Sequence, residues 1–174
     1  MNMLSEHMIS YARYHRDPRN IATHFIGIPM IVLAISTLLA RPVWEVAGLP
    51  LSPAWLLTTL AVLLYYLRLG LGTALGMALV LSLFNLGGQR LAAEHWLGWG
   101  IGLFVVGWII QFVGHFWEGR KPAFADDLRG LLQGPLFIAC ETLFALGMLK
   151  SLQASVTAGA GQVRLNPHQN ATQS

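Results

Sequence analysis

Three histidines in this chain have neighbours that point to chemistry. In Tyr14-His15-Arg16-Asp17-Pro18-Arg19-Asn20-Ile21-Ala22-Thr23-His24, two histidines and an asparagine surround a proline turn. Asn20 and His24 stand at i, i+4 on one helical face. Gly27 and Pro29 follow one turn later, which suits a close helix approach and a local kink. Much farther along, Gln111-Phe112-Val113-Gly114-His115-Phe116-Trp117-Glu118 places Gln111, His115 and Glu118 on one face by i+4 and i+3 spacing. A polar stripe on an apolar helix must face protein or water, because an unsatisfied polar group in lipid costs several kcal/mol. Imidazole nitrogens joined by a carboxylate are the ligand set of non-haem Fe(II), with positions left open for oxygen and substrate. Zinc accepts the same ligands. Each histidine taken singly is also accounted for by a hydrogen bond to a carbonyl or a lipid headgroup, so spacing alone selects neither the metal nor a metal role.

Other polar residues are weighed in the same way. Glu141 falls about halfway along an apolar run, where an ionised carboxylate is costly. It reads either as a helix-joining carboxyl or as a group orienting a ligand histidine. Arg120 and Lys121 lie beside the proposed site and can pair with a substrate carboxylate, or serve as plain membrane-edge anchors. Asn85 reads as an interhelical hydrogen-bonding residue. His95, next to Glu94, reads as a surface residue, His168 as an inert tail residue, and His7 sits on an amphipathic N-terminal helix. The single cysteine, Cys140, excludes a disulfide framework and a Cys-based zinc site.

The elements that must position these residues follow from composition. Of 174 residues, 55% are apolar and only 11% charged, less than half the charge a soluble domain carries. The apolar residues are grouped into windows without Lys, Arg, Asp or Glu: Ile21 to Ala40, Val46 to Leu67, Leu69 to Gln89 and Trp96 to Trp117. A fifth, Gly130 to Leu149, carries only Glu141. About 20 helical residues cross a hydrocarbon core of roughly 30 Å. The expected fold is therefore all-α, a polytopic membrane bundle of about five hydrophobic helices behind a short amphipathic N-terminal helix that Asp17-Pro18 ends. Gly70, Gly72 and Gly76 suggest a tight turn between the second and third spans, and Arg90 to His95 a polar break before the fourth. Residues 1–150 form one transmembrane domain on this reading. Residues 151–174, rich in Gln, Ala, Gly and Asn, read as a disordered tail. The first window is too long and too late for a signal peptide. The net charge of +3 is dispersed, with no basic tract for nucleic acid.

Arg13, Arg16, Arg19, Arg68, Arg120, Lys121 and Arg129 fall on one side of this topology, seven of the eleven basic residues. The positive-inside rule puts that side, with the N-terminus, in the cytoplasm. It brings the residues just before span one and just after span four to the same membrane face.

At these residues the chain resembles the membrane 2-hydroxy fatty acid dioxygenase family, long catalogued as a domain of unknown function. The resemblance is carried by Tyr14-His15, Pro18-Arg19-Asn20, His24 and Gly27-Ile28-Pro29 in a first block. Gly107-Trp108, Gln111-Phe112-Val113-Gly114-His115, Glu118-Gly119-Arg120 and Pro122-Ala123 form a second. Gly134-Pro135-Leu136-Phe137, Glu141 and Phe144-Ala145-Leu146-Gly147 form a third. It implies an iron(II)-dependent dioxygenase, with Fe(2+) as cofactor, that turns a long-chain 2-hydroxy fatty acid and O2 into a fatty acid one carbon shorter. It further implies that His15, His24 and His115 hold the iron, with Glu118, Asn20 and Gln111 as supporting or additional ligands and Glu118 counted with the histidines as catalytic. The expected location is the bacterial inner membrane, or the endoplasmic reticulum in a eukaryote. Two competing readings stay open: a histidine-rich zinc lipid hydrolase, and a membrane scaffold with structural histidines.

Overall fold

The computed structural model describes residues 2–164; His168 and the rest of the expected tail from 165 onward lie outside them. The chain is overwhelmingly helical, as its composition predicts. Its helices are α1 (Met3–Ala12), α2 (Pro18–Leu38), α3 (Pro53–Leu69), α4 (Leu71–Glu118), α5 (Gly130–Ala145) and α6 (Lys150–Ala160). A two-stranded hairpin, β1 (Trp44–Val46) and β2 (Leu49–Leu51), separates α2 from α3. Within the expected single domain, contacts among the described residues separate two compact units, one of residues 2–26 with 110–164 and one of residues 27–109.

Two helices, α2 and α4, are long and apolar enough to cross a membrane. The third and fourth sequence windows are fused in α4, which runs 48 residues and leaves helical geometry only at His95 (φ −148°, ψ 74°). Each stretch either side of that break is about 35 Å long, enough for a bilayer core. The break is thus one residue rather than the whole polar segment 90–95. Likewise the glycine-rich turn expected across 70–76 is made by Gly70 alone (φ 128°), and Gly72 and Gly76 continue the helix.

The second window is shortened at its start. Ala47 and Gly48 both take positive φ and pair Val46 with Leu49 across a two-residue hairpin turn, the geometry favoured by the twist of the flanking strands. Pro53 then opens α3 behind Ser52, and α3 carries a π-helical segment at Val62–Tyr66. The fifth window is cut at Ala145. Gly147 and Leu149 turn the chain left-handed, and α6 leaves at 118° to α5.

In the unit 27–109, small residues let helices touch. A Cβ on Gly88 would lie 2.6 Å from the Ser36 carbonyl carbon, and one on Gly107 would lie 2.8 Å from Ile31 Cγ1. Asn85 is an interhelical hub, as expected. It accepts from Ser36 Oγ at 3.0 Å and donates to Thr58 Oγ1 at 2.9 Å and to the Ala54 carbonyl at 3.3 Å. The outer row of α4, namely Leu71, Leu75, Leu79, Leu83 and Leu86, is more than half exposed at each position. Such an apolar stripe on one helical face suits lipid rather than water.

In the other unit, Asn2 caps α1 by accepting from the Ser5 amide at 2.9 Å. Helix α1 packs against α5 and α6. Gly159 allows the second contact, since a Cβ there would come within 2.7 Å of Ile9 Cδ1. The expectation of disorder from 151 is corrected for residues 151–160. Leu152 and Val156 are spaced i, i+4, so one face of α6 is apolar and both are buried. A polar, small-residue composition concealed that stripe.

Candidate metal centre

The geometry of this site is built by three short local structures. After α1, the chain makes a turn in which the Tyr14 and His15 amides donate to the Tyr11 and Ala12 carbonyls at 3.0 Å each. That turn ends at Asp17, whose Oδ1 accepts from the Arg19 amide at 2.8 Å and so caps α2. His24 lies on the second turn of α2. His115 lies on the last turn of α4, beside Gly114. A Cβ on Gly114 would collide with Thr23 Oγ1 and lie 2.5 Å from Asn20 Oδ1, so this glycine permits the approach of the two helices.

The three histidines meet. Ring centroids are 4.4 Å apart for His15 and His24, 4.9 Å for His24 and His115, and 5.2 Å for His15 and His115. All three are buried, and one nitrogen from each lies within 4.8 Å of the others. Tyr11 stacks on His15 at 4.2 Å, and Phe137 of α5 packs against both rings.

Ring orientation is set by the backbone. His15 Nδ1 lies 2.8 Å from the Tyr11 carbonyl, and His24 Nδ1 lies 2.8 Å from the Asn20 carbonyl. A carbonyl only accepts, so each Nδ1 carries the proton and each Nε2 keeps its lone pair. Burial first, and then the neighbouring His24, hold the His15 pKa well below the ordinary histidine value, so that ring is neutral near pH 7. His15 Nε2 and His115 Nδ1 are buried with no hydrogen-bond partner. Bare buried acceptors are costly and rare. A divalent cation answers that cost, and neutral imidazoles held by second hydrogen bonds are its usual ligands. The donor set therefore fits a metal ion.

Glu118 is brought beside this cluster but is otherwise engaged. Its Oε2 accepts from the Arg16 amide at 3.0 Å, the Asp17 amide at 2.8 Å and Asn20 Nδ2 at 3.1 Å. Its Oε1 accepts from Arg164 Nη2 at 3.0 Å, and the carboxylate is fully buried. Glu118 thus braces the turn that carries His15. Asn20 and Gln111 are buried, and Asn20 Oδ1 and Gln111 Oε1 have no partner. Both amide oxygens remain available as acceptors.

Other expected residues are placed elsewhere. Glu141 lines a cavity with Arg16 rather than orienting a histidine; the orienting groups are the Tyr11 and Asn20 carbonyls. Arg120 Nη1 donates to the Arg13 carbonyl at 3.1 Å at the exposed surface, and exposed Lys121 pairs with Asp126. His7 Nδ1 lies 3.2 Å from Gln133 Nε2, and His95 marks the kink of α4. Two arginines carry structure that sequence reasoning missed. Arg16 Nε donates to the Ala12 and His15 carbonyls at 2.7 and 2.9 Å, and its Nη1 to Gly161 at 2.8 Å. Arg164 reaches Glu118, and its amide donates to the Arg16 carbonyl at 2.9 Å. Nothing local signals Arg164, which lies in the segment read as disordered. Arg16, between two motif histidines, was legible as a candidate.

Long apolar helices with exposed leucine rows and a buried three-histidine cluster define the class: a helical membrane protein with a candidate metal centre. Residues 1–146 match the family described as 2-hydroxy-palmitic acid dioxygenase Mpo1-like, and the chain belongs to that family. Among curated proteins it is similar to the 2-hydroxy-palmitic acid dioxygenase MPO1 of Saccharomyces cerevisiae, 35% identical over 149 residues that cover 84% of this chain and 83% of the yeast protein. No solved structure matches.

Proposed function

We propose that this protein is an Fe(II)-dependent dioxygenase that converts long-chain 2-hydroxy fatty acids into fatty acids one carbon shorter. The buried cluster of His15, His24 and His115, in a chain of this family, carries the reading. The stoichiometry balances with one O2: RCH(OH)COOH + O2 gives RCOOH, CO2 and H2O. The bond between C1 and C2 breaks, and C2 becomes the new carboxyl carbon.

The three histidines would hold the iron, which supplies the O2 activation that organic side chains lack. The chain's own residues do the rest. Tyr11 and Asn20 carbonyls keep protons on Nδ1, so that His15 and His24 present Nε2. Glu118 fixes the His15 turn through the Arg16 and Asp17 amides. Tyr11 and Phe137 pack the His15 ring and exclude water from that side. The bare oxygens of Asn20 and Gln111 can accept from a hydroxyl or a bound water. Phe112 and Phe116, exposed on the helical turns beside His115, suit an alkyl chain that stays in the bilayer. The basic side of the topology favours a cytoplasmic N-terminus and metal face.

The test is metal content of detergent-purified protein, joined to turnover of 2-hydroxypalmitate under O2 and under argon. One iron per chain and oxygen-dependent formation of the C15 acid are expected, with both lost in His15→Ala, His24→Ala and His115→Ala. Zinc with oxygen-independent lipid hydrolysis would favour the hydrolase reading. No metal after reconstitution with Fe(II) would return the histidines to a structural role.

A further inference from the structure

The hairpin between α2 and α3 leaves one apolar face without a partner. Every residue from 41 to 51 is exposed. Strand alternation and the register sort the side chains into two faces. Trp44 pairs with Leu51 and Val46 with Leu49, so these four share one face, while Glu45 and Pro50 share the other. On the first face Trp44 is 51%, Val46 52%, Leu49 64% and Leu51 37% exposed. A contiguous apolar patch rimmed by polar residues marks an interaction surface.

Its surroundings identify the occupant. The hairpin is held at the end of α2, a helix long enough to cross a membrane, by the Ala54 amide, which donates to the Leu39 carbonyl at 2.9 Å. The break in α4 comes to this same end, because Trp96 Nε1 donates to the Leu38 carbonyl at 3.0 Å. Glu94 and His95 are exposed there, close in sequence to exposed Trp99. Tryptophan beside polar groups is the mark of the boundary between headgroups and acyl chains. The length of α3 gives a second reason. Its 17 residues rise about 25 Å, some 5 Å short of a hydrocarbon core of roughly 30 Å. A short span draws its flanking residues toward the bilayer, and Leu49 and Leu51 are the flank of α3. The backbone limits the depth. The sheet has two strands, so each keeps an open outer edge whose polar groups need water. Pro50 has no N–H to leave unpaired there. We infer that the face made by Trp44, Val46, Leu49 and Leu51 is a lipid-docking surface, lying on the acyl-chain boundary of one leaflet with Glu45 toward water. On the orientation favoured by the basic residues, that leaflet is the non-cytoplasmic one. The inference rests on the membrane reading of α2 and α4 and is independent of the histidine chemistry.

The experiment puts a nitroxide spin label on Glu45→Cys, Val46→Cys and Leu49→Cys of the full chain, in vesicles of phosphatidylethanolamine and phosphatidylglycerol. Leu79→Cys, on the exposed leucine row of α4, is the lipid-facing control. Cys140 is buried, and the unsubstituted chain gives its background. Collisional relaxation by O2, which concentrates in lipid, and by a water-soluble nickel chelate reads the surroundings of each label. The ratio of O2 to nickel accessibility at positions 46 and 49 is expected to be several-fold above that at 45 and below that at 79. High nickel accessibility at 46 and 49 puts the face in water and overturns the inference. Low accessibility to both reagents there means that protein covers the face, a second copy or another chain, and overturns it equally. Equal ratios at 45 and 46 overturn the two-faced docking. A lipid-like label at 79 in any of these cases leaves the membrane reading standing and removes only the hairpin's role. A water-like label at 79 removes the membrane reading and the inference together.

Discussion

Replacing Glu118 by Gln removes one charge and almost no volume, and should release the turn that holds His15. The carboxylate accepts four hydrogen bonds, from the Arg16 amide, the Asp17 amide, Asn20 Nδ2 and Arg164 Nη2, all between 2.8 and 3.1 Å. Glutamine has one acceptor oxygen. With that oxygen toward the two amides, its NH2 group faces the Arg164 guanidinium, donor against donor. Flipped, the NH2 group faces the amides instead. Either way at least one buried donor is orphaned and the survivors lose their charge assistance. Hydrogen bonds to charged groups contribute about 1.5–3 kcal/mol each, and breaking a buried pair from one side costs about 3–5 kcal/mol. A local loss of about 4 kcal/mol is expected, roughly a thousandfold in the opening equilibrium. Hydrogen exchange at the Arg16 and Asp17 amides reads it directly, because Glu118 is their acceptor. Metal affinity should fall in parallel, since His15 is freed while His24 and His115 keep their helices. Arg164→Ala takes the cation from a fully buried carboxylate and should cost a comparable amount, but it leaves the Arg16 and Asp17 amides their acceptor. Unchanged exchange at those two amides would falsify the assignment of Glu118 as the brace.

Gly114→Ala drives a methyl into Thr23 and Asn20. Overpacking of this kind costs about 1–3 kcal/mol, so a lower thermal midpoint and reduced metal content are expected; full metal occupancy would refute the close-approach argument. For pH, the His15 pKa is lowered by burial and by His24, so the unfolded chain takes up that proton first. Stability of the metal-free protein is then present above the ordinary value of 6.5 and lost as pH falls below it; His15→Gln should flatten this slope in thermal scans between pH 7 and 5. Leu149 adopts φ 52° with its side chain partly exposed, a conformation costly for a residue with a Cβ. Leu149→Gly should raise stability by about 0.5–1 kcal/mol, and a lowered midpoint would show that the leucine side chain contributes more than its strain costs.

Much of the membrane architecture was legible in the sequence because hydropathy and helix length are local properties. Windows free of charge fall on α2, α4 and the apolar part of α3, and a fifth that carries only Glu141 falls on α5. They did not reveal that Ala47-Gly48 would form a hairpin and shorten α3, or that one residue, His95, would break α4. Those outcomes turn on single backbone conformations that a twenty-residue average does not register. The histidines were legible for a related reason. Spacing of i+3 and i+4 assigns a helical face, and the order of the spans brings His15, His24 and His115 to one end.

Only the tertiary structure decided what each polar group does there. Glu118 sits one turn from His115, so sequence spacing offers it as a ligand. Folding turns it instead toward amides about a hundred residues away, at Arg16 and Asp17. Arg164 and α6 lie in a segment whose composition resembles a tail, yet two buried apolar residues at i, i+4 and a reciprocal exchange of hydrogen bonds with Arg16 dock it. Residue types and their periodicity are written in the chain itself. The partner that satisfies a buried donor or acceptor is chosen by whatever the fold places within about 3 Å, and no local pattern encodes that choice.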